Sequence, residues 1–216
     1  MRIIAGEFKG RRIDAPRSMS VRPTSDRVKV TIFDVLSNRI DLEGARVLDL
    51  FAGGGTLGLE AISRGARHAT FVDASEVSLR IIARNLKQLG IESRAKLIRG
   101  DAVMVPKRLG EEFELVFIDP PYGLEDIASL PLGIASAGIL ASDGWAVMKF
   151  PSQVRLLLPE KAPHAARRAG EHVEEPFAAG AHLMKDASRQ AARFECAVIK
   201  RFGETSVAFF HHQAAE

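Results

Sequence analysis

Residues 45–58, with the sequence ARVLDLFAGGGTLG, restrict the possible folds of this chain more than any other stretch. The segment from Arg46 to Leu50 has the composition of a buried strand, three successive glycines follow it, and Thr56 begins a helix-like segment. Glycines crowd a strand-to-helix turn where a ligand approaches the backbone more closely than a Cβ atom allows. The stretch therefore predicts a β–α unit that binds a ligand at its turn, with a tight turn lacking any ligand as the alternative.

Asp49, near the end of this predicted strand, restricts the class of ligand. A carboxylate accepts hydrogen bonds from a cationic or polyhydroxyl ligand, whereas it repels a polyphosphate. Gly53, Gly55 and Gly58 also fit the glycine fingerprint of dinucleotide-binding folds, and Asp73 lies at about the spacing of its ribose-binding acid. These residues predict a nucleoside cofactor and leave its identity open.

Strand and helix patterns alternate from residue 45 to residue 150. Several strand candidates are nearly continuous apolar runs, as expected for parallel strands that are covered on both faces. The clearest helix begins after Ser75, its expected N-cap, and ends at Gly90. The alternation predicts an α/β fold with a doubly wound parallel sheet, closed by an antiparallel hairpin of residues 194–199 and 205–210. The other strand candidates are residues 46–50, 69–73, 95–99, 114–119 and 145–150.

Basic side chains concentrate in the first 40 residues, which hold nine Lys or Arg against four Asp or Glu, whereas the whole chain carries a net charge of +3. We expect a small hairpin in residues 1–15, a linker through residue 24, and a helix capped by Thr24 or Ser25. A basic segment on a near-neutral body favours an anionic partner, most commonly nucleic acid, with a solvated basic surface as the alternative. The candidate phosphate contacts are Arg11, Arg12, Arg22, Arg27 and Lys29.

Other features of the sequence exclude several protein classes. Cys196 is the single cysteine, which excludes a disulfide within the chain and fits a reducing compartment. Residues 1–10 lack the apolar run of a signal peptide, and no segment approaches the roughly 18 apolar residues that span a bilayer. His164, His172 and His182 lack the spacing of metal ligands. We therefore expect a cytoplasmic protein without a metal site.

A second chemical motif, Asp119-Pro120-Pro121-Tyr122, directly follows a predicted buried strand. Two successive prolines make a stiff, extended turn, and the carboxyl ends of parallel strands are where such sheets bind ligands. The Asp119 carboxylate and the Pro120 carbonyl can accept hydrogen bonds from the exocyclic amino group of a base, and Tyr122 can stack on its ring. The motif predicts amino-group chemistry on the same sheet edge as the glycine turn; a rigid structural turn is the alternative.

The two motifs together favour S-adenosylmethionine over a nicotinamide cofactor, because hydride transfer has no use for a turn that orients an amino group. The methionine part of S-adenosylmethionine needs close backbone approach at the glycines, its ribose needs an acid at the end of the second strand, and its adenine amino group needs an acceptor near the end of the third. The predicted cofactor site is Asp49, Phe51, Gly53, Gly55, Asp73, Asp101 and Ala102.

The pattern of residues 49–55 followed by residues 119–122 resembles that of Rossmann-like methyltransferases that modify exocyclic nitrogens. The chain is more similar still to the RsmD family, bacterial enzymes that methylate N2 of a guanine in small-subunit ribosomal RNA. The resemblance covers residues 1–150 and 194–211, although Gly54 stands where the family usually has serine and Val30 where it often has glutamate. The stretches that carry it are residues 1–11, 22–33, 58–66 and 202–205.

This resemblance implies a Rossmann-like methyltransferase fold with a seven-stranded, mostly parallel sheet of order 3-2-1-4-5-7-6, an antiparallel strand seven, and helices on both faces. Residues 1–24 would form a basic N-terminal extension and residues 25–212 the catalytic domain. The implied reaction moves a methyl group from S-adenosylmethionine to guanine N2 in ribosomal RNA or the small ribosomal subunit. The sequence does not specify an oligomeric state, and a monomer is the default expectation. The implied catalytic residues are Asp119, Pro120, Pro121 and Tyr122. No role is assigned to residues 155–193.

Other functions remain open from the residues themselves. DNA or a protein glutamine could be the acceptor, since this proline turn serves amino methylation broadly, and a small-molecule acceptor would not need the basic segment. A catalytically silent RNA-binding module on the same fold is the alternative from a different functional class. Asp49, Asp73 and Asp119 are all present, which argues against the silent module.

Overall fold

A computed structural model of the 216-residue chain describes residues 1–15, 25–158 and 194–214, and the backbone of residues 177–179. The helices are α1 (Asp26–Leu36), α2 (Thr56–Ser63), α3 (Glu76–Leu89) and α4 (Leu130–Ala137), with short 3-10 helices at Glu92–Arg94, Pro106–Arg108 and Ile127–Ser129. The strands are β1 (Arg46–Leu50), β2 (His68–Asp73), β3 (Ala95–Arg99), β4 (Phe113–Ile118), β5 (Leu140–Pro151), β6 (Leu156–Leu158), β7 (Phe177–Ala179), β8 (Phe194–Phe202) and β9 (Thr205–His212).

Seven of these strands form one sheet in the order β3-β2-β1-β4-β5-β9-β8. Strands β1 to β5 run parallel, whereas β9 is antiparallel to both of its neighbours. Strands β6 and β7 pair in a separate two-stranded sheet. When only the strands of the large sheet are counted, the order is 3-2-1-4-5-7-6 with strand seven antiparallel, so the predicted topology is confirmed.

Hydrophobic cores lie on both faces of the large sheet. In β1 and β4, Val47, Leu115 and Phe117 join the core that includes apolar residues of α1, α2 and α3. Leu48 and Val116, which alternate with them, join the opposite core together with residues of α4. Because side chains alternate between the two faces of a strand, burial on both faces requires the nearly continuous apolar runs seen in the sequence.

The ends of the helices follow the capping residues of the sequence. The Ser25 hydroxyl accepts a hydrogen bond from the Val28 N–H at the start of α1, so Ser25 is its N-cap. The Ser75 hydroxyl caps α3 in the same way, and Gly90 ends that helix in the left-handed conformation. The two serines and the glycine help to satisfy backbone groups that helix termini leave unpaired.

The N-terminal segment, residues 1–15, folds back on itself but forms no named strand within the described residues. A single antiparallel bridge joins Arg2 to Arg12, so the predicted hairpin exists only in minimal form. Ile3 and Ile13 are 1% and 4% exposed and belong to the core that contains α1 and α2. The linker predicted for residues 16–24 lies outside the described part of the chain. None of the described helices has the length and apolar character needed to cross a bilayer.

Candidate functional site

The parallel pairing of β1, β2 and β4 brings three carboxylates to one edge of the sheet. Asp49 is the penultimate residue of β1, Asp73 is the last residue of β2, and Asp119 directly follows β4. Strand β1 lies between the other two strands. The predicted acidic residues of both motifs therefore meet at the carboxyl edge of the sheet, where folds of this class bind ligands.

The turn between β1 and α2 has the backbone of a binding loop. Phe51, Gly53 and Gly55 have φ angles of 58°, 53° and 73°. Such values suit glycine, whereas a phenylalanine there costs free energy and is typical of functional sites. A Cβ atom on Gly55 would lie 3.0 Å from Cγ1 of Ile82, whereas one on Gly53 would meet only the Phe51 carbonyl oxygen, at 3.9 Å. A side chain at Gly55 would therefore crowd Ile82, whereas Gly53 leaves space open beside the loop.

Two side chains hold this loop in place. The Gly53 N–H donates to Oδ2 of Asp73 over 2.7 Å, which links the loop to the end of β2. The buried side chain of Asn85 donates from Nδ2 to the Gly54 carbonyl over 3.3 Å and to the Asp14 carbonyl over 3.1 Å. Sequence reasoning missed Asn85, although a polar residue three positions after Ile82 on the apolar face of α3 was an available signal.

Asp49 lies below the loop and is 2% exposed. Its Oδ2 atom accepts a hydrogen bond from the Gly58 N–H over 3.0 Å, which ties β1 to α2. Burial raises the pKa of the Asp49 carboxyl well above its ordinary value, and the negative charges of Asp119 and Asp73 raise it further against this hydrogen bond. The raised pKa favours the neutral, protonated form of this carboxyl beneath the loop.

The remaining predicted cofactor residues follow β3 at the same edge. The Gly100 N–H donates to the Asp73 carbonyl over 3.1 Å, which brings the turn after β3 next to the end of β2. Asp101 is exposed and accepts from the Val103 N–H over 2.8 Å, while Ala102 is 4% exposed. An exposed acid beside a small buried residue suits one edge of a nucleoside ring.

The Asp-Pro-Pro-Tyr turn contacts a residue that the sequence analysis did not single out. Nζ of Lys149 lies 2.6 Å from Oδ1 and 2.8 Å from Oδ2 of Asp119. Lys149 belongs to β5, the neighbour of β4 in the sheet. Pro120 is buried, whereas Pro121 and Tyr122 are exposed. The signal that could have identified Lys149 is a single lysine within the apolar run of β5.

Tyr122 is held at its hydroxyl by the C-terminal hairpin. The Tyr122 hydroxyl and the Thr205 hydroxyl share a hydrogen bond, and Thr205 begins β9. The preceding turn is fixed to the end of β5, since the Ser152 N–H donates to the Glu204 carbonyl over 2.9 Å. The ring of Tyr122 remains exposed, with 48% of the residue accessible. The closing hairpin was predicted, but its contact with the Asp-Pro-Pro-Tyr turn was not.

The structure separates the described basic candidates into exposed residues and one buried residue. Arg11, Arg12 and Arg27 are exposed, as phosphate contacts require, and Arg22 lies outside the described residues. The prediction for Lys29 is wrong, because its side chain is 1% exposed and cannot reach a phosphate at the surface. Lys29 stands three, four and seven positions before Ile32, Phe33 and Leu36, so the helical period places it on the buried face of α1.

Lys29 instead joins a buried polar cluster. Its Nζ atom donates to the Arg2 carbonyl over 2.6 Å and to Oγ1 of Thr56 over 3.3 Å, and it lies 3.5 Å from Oε2 of Glu60. Burial lowers the pKa of Lys29, although the Glu60 carboxylate raises it. Glu60 also accepts from the backbone N–H groups of Ile4 and Ala5 over 2.8 and 2.9 Å. The cluster attaches the N-terminal segment to α2, the helix that follows the glycine loop.

No group of three or more potential metal ligands occurs among the side chains that the structure describes. His164, His172 and His182 are outside those residues.

Comparison with known proteins gives a consistent family. The family model described as "Conserved hypothetical protein 95" matches residues 1–173. The chain is 38% identical over 159 residues to YlbH of Bacillus subtilis (strain 168), across 72% of this chain and 85% of YlbH. It is 38% identical over 122 residues to the Ribosomal RNA small subunit methyltransferase D of Escherichia coli (strain K12), across 56% of this chain and 60% of that protein.

The solved structure of yhhF from Escherichia coli has the same fold. The two structures superpose with a TM-score of 0.74 and 24% sequence identity, and the match covers 100% of this chain and 99% of yhhF.

Proposed function

The chain belongs to the RsmD family, whose model is described as "Conserved hypothetical protein 95", and we propose that it methylates N2 of a guanine in small-subunit ribosomal RNA with S-adenosylmethionine. The observation that carries this proposal is the position of the Asp119-Pro120 acceptor pair at the same sheet edge as the glycine loop and Asp73. One related protein is named a small-subunit ribosomal RNA methyltransferase, which supports the substrate class. Residues 1–24 serve as the basic extension and residues 25–212 as the catalytic domain.

The residues at this edge fit S-adenosylmethionine by their chemistry. Asp49, Asp73 and Asp101 offer acceptors near the ends of three adjacent strands. S-adenosylmethionine carries an ammonium, a sulfonium, ribose hydroxyls and an adenine amino group, which are cations or hydrogen-bond donors. The open space beside Gly53 admits a ligand against the loop backbone. When bound, S-adenosylmethionine supplies a methyl group made electrophilic by the sulfonium.

Asp119 and Pro120 orient the nucleophile in this proposal. The carboxylate and the Pro120 carbonyl are acceptors, so together they can bind both hydrogens of an exocyclic amino group and direct its lone pair toward the methyl carbon. As the nitrogen–carbon bond forms and the carbon–sulfur bond breaks, the nitrogen loses one proton, which an oxygen of Asp119 can accept and pass to water. The exposed ring of Tyr122 stacks on the extruded base.

The exposed arginines contribute affinity for RNA and not base identity. Arg11 and Arg12 lie on the N-terminal segment and Arg27 on the first turn of α1. Arg22 belongs to the same basic stretch of sequence. Contacts of such side chains with phosphates give register and a salt-dependent affinity, while the base is selected at the catalytic turn.

The experiment that tests this function measures transfer of labelled methyl groups from S-adenosylmethionine to small-subunit particles that lack their own modification. We expect labelled N2-methylguanine in the RNA with the wild type. Asp119→Ala should lower the rate roughly 100-fold, because orientation of the nucleophile and charge stabilisation are lost. Binding of S-adenosylmethionine to Asp119→Ala serves as the control for folding.

Other outcomes separate the alternatives. Recovery of the label as N6-methyladenine or N4-methylcytosine would show that the acceptor base is adenine or cytosine and not guanine. Label in DNA, a protein or a small molecule, with none in RNA, would refute the ribosomal substrate. Cofactor binding without turnover on any of these acceptors would favour a silent RNA-binding module.

A further inference from the structure

Lys149 is a charged residue of the candidate site whose chemistry neither motif explains. It lies in β5 between Met148 and Phe150, which are 0% and 1% exposed, and its own side chain is 12% exposed. Its partner Asp119 is 20% exposed. Removing two charges from water is costly, and a well-packed apolar pair is often as stable as a buried ion pair. Stability alone therefore gives no strong reason for a lysine at this position.

The geometry of the ion pair restricts the carboxylate. Both oxygens of Asp119 lie within 2.8 Å of the same nitrogen, so rotation of the carboxylate about its terminal bond would break one of the two contacts. A carboxylate has about four lone-pair positions, and Lys149 uses one on each oxygen. The two contacts thereby fix the plane of the carboxylate, and with it the direction from which a donor can approach its oxygens.

The same ammonium lies near the other substrate-binding group of the turn. Nζ of Lys149 is 5.9 Å from the centroid of the Tyr122 ring, and the Tyr122 hydroxyl is bound by Thr205. Lys149 therefore lies near both the carboxylate that would hold the amino group and the ring that would stack on the base.

We propose that Lys149 is a positioning residue for methyl transfer, which acts by fixing the orientation of the Asp119 carboxylate toward the acceptor amino group. The inference rests on the proposed function and extends it to a residue outside both motifs. Its role differs from that of Arg11 or Arg12: the ammonium is committed to a carboxylate inside the site, whereas a phosphate contact requires an exposed cation. Loss of Lys149 should therefore reduce the rate of the chemical step more than it reduces affinity for RNA.

Lys149→Met tests this inference, since methionine is an unbranched side chain of nearly the same length and carries no charge. With small-subunit particles as substrate, we expect kcat to fall roughly 10- to 100-fold, as for a misplaced catalytic group. The KM for the particles should change less than about 3-fold, because phosphate contacts are retained. Lys149→Arg should recover part of the rate, since a guanidinium binds both oxygens of a carboxylate.

Lys96→Met provides the matched control. Lys96 lies on β3, pairs with Glu111 over 3.2 Å and is 52% exposed, so the same change there removes an ion pair outside the site. This variant should keep the wild-type kcat and KM. Binding of S-adenosylmethionine to each variant reports whether the glycine loop is intact.

Three results would overturn the inference. An unchanged kcat in Lys149→Met would show that Asp119 needs no fixed partner. A raised KM with normal kcat would assign Lys149 to the RNA phosphates. Loss of cofactor binding in both Lys149 variants would assign it to the fold of the site. In each case Asp119→Ala remains slow, so the proposed function stands; if the wild type itself labels no RNA, the proposed function fails and this inference with it.

Discussion

Replacing Lys29 with methionine should destabilise the protein without weakening its affinity for RNA. The change leaves Glu60, which is fully buried, without its ammonium partner. Removing one member of a buried ion pair costs about 3–5 kcal/mol when the other charge is left unpaired. Glu60 retains Arg64 Nε at 2.9 Å and the Ile4 and Ala5 amides, so we expect a cost at or below the lower end of this range, about 2–3 kcal/mol.

Thermal unfolding followed by circular dichroism measures this effect. For a domain of this size, about 1 kcal/mol shifts the melting temperature by about 2–4 °C, so Lys29→Met should melt about 4–12 °C lower. The double variant with Lys29→Met and Glu60→Gln should lose less stability than the sum of the losses of the two single variants. The reason is that Glu60→Gln removes the charge that Lys29→Met leaves unpaired.

Arg27→Met is the comparison on the exposed face of the same helix. It should change stability by less than about 0.5 kcal/mol and raise the KM for RNA. The reasoning would be refuted if Lys29→Met kept the wild-type melting temperature and instead raised the KM for RNA, since an exposed phosphate contact would behave in that way.

Three further changes test other parts of the structure. Gly58→Ala should lower stability by about 1–3 kcal/mol in a denaturant titration, because its Cβ atom would lie 2.4 Å from Cε1 of Phe71. Asp49→Asn should raise stability at neutral pH. Because the pKa of Asp49 is raised in the folded state, the wild type loses stability as the pH rises from the unfolded pKa, about 4, toward the folded pKa. Asparagine does not titrate, so the variant avoids this loss. Arg12→Ala should lower the slope of log Kd against log salt concentration for RNA binding. The expected change is the loss of roughly one phosphate contact.

Each of these has a control and a contrary result. Gly133→Ala in α4, where the Cβ position is open and φ is not positive, should not lower stability, and a loss equal to that of Gly58→Ala would contradict the packing argument. For Asp49→Asn, the difference in stability from the wild type should vanish near pH 4, and a difference independent of pH would contradict the assigned burial of charge. An unchanged salt slope in Arg12→Ala would remove that residue from the RNA surface.

The sequence predicted the sheet and the helix ends because both follow from local rules. Apolar runs covered on two faces marked β1 and β4, and Ser75 and Gly90 marked the ends of α3. Lys29 was misplaced because its chemistry was given more weight than its position on the apolar period of α1. The helical spacing of the apolar residues in α1 indicates correctly that Lys29 is buried, and the buried carboxylate of Glu60 on α2 makes that burial possible.

Contacts between distant segments could not be predicted in the same way. Lys149 meets Asp119 only because β5 lies beside β4, and no local pattern specifies which side chains pair across two parallel strands. Asn85 likewise owes its role to the N-terminal segment, which contacts it from 71 positions away in sequence. The motifs thus identified the residues of the candidate site, while the partners that hold them in place required the fold.

The docking of the N-terminal segment also sets an order of events during synthesis. Several hydrogen bonds of residues 1–15 have partners that are made much later: Ile4 bonds with Glu60, Asp14 with Asn85, and Glu7 with Arg94, 87 positions downstream. At about 5–20 residues per second, the segment waits roughly 4–17 s on the translating ribosome before its last partner has been made. Its burial therefore has to follow the synthesis of α2 and α3, and the glycine loop gains the support of Asn85 only in a chain already long enough to contain β1 and β2.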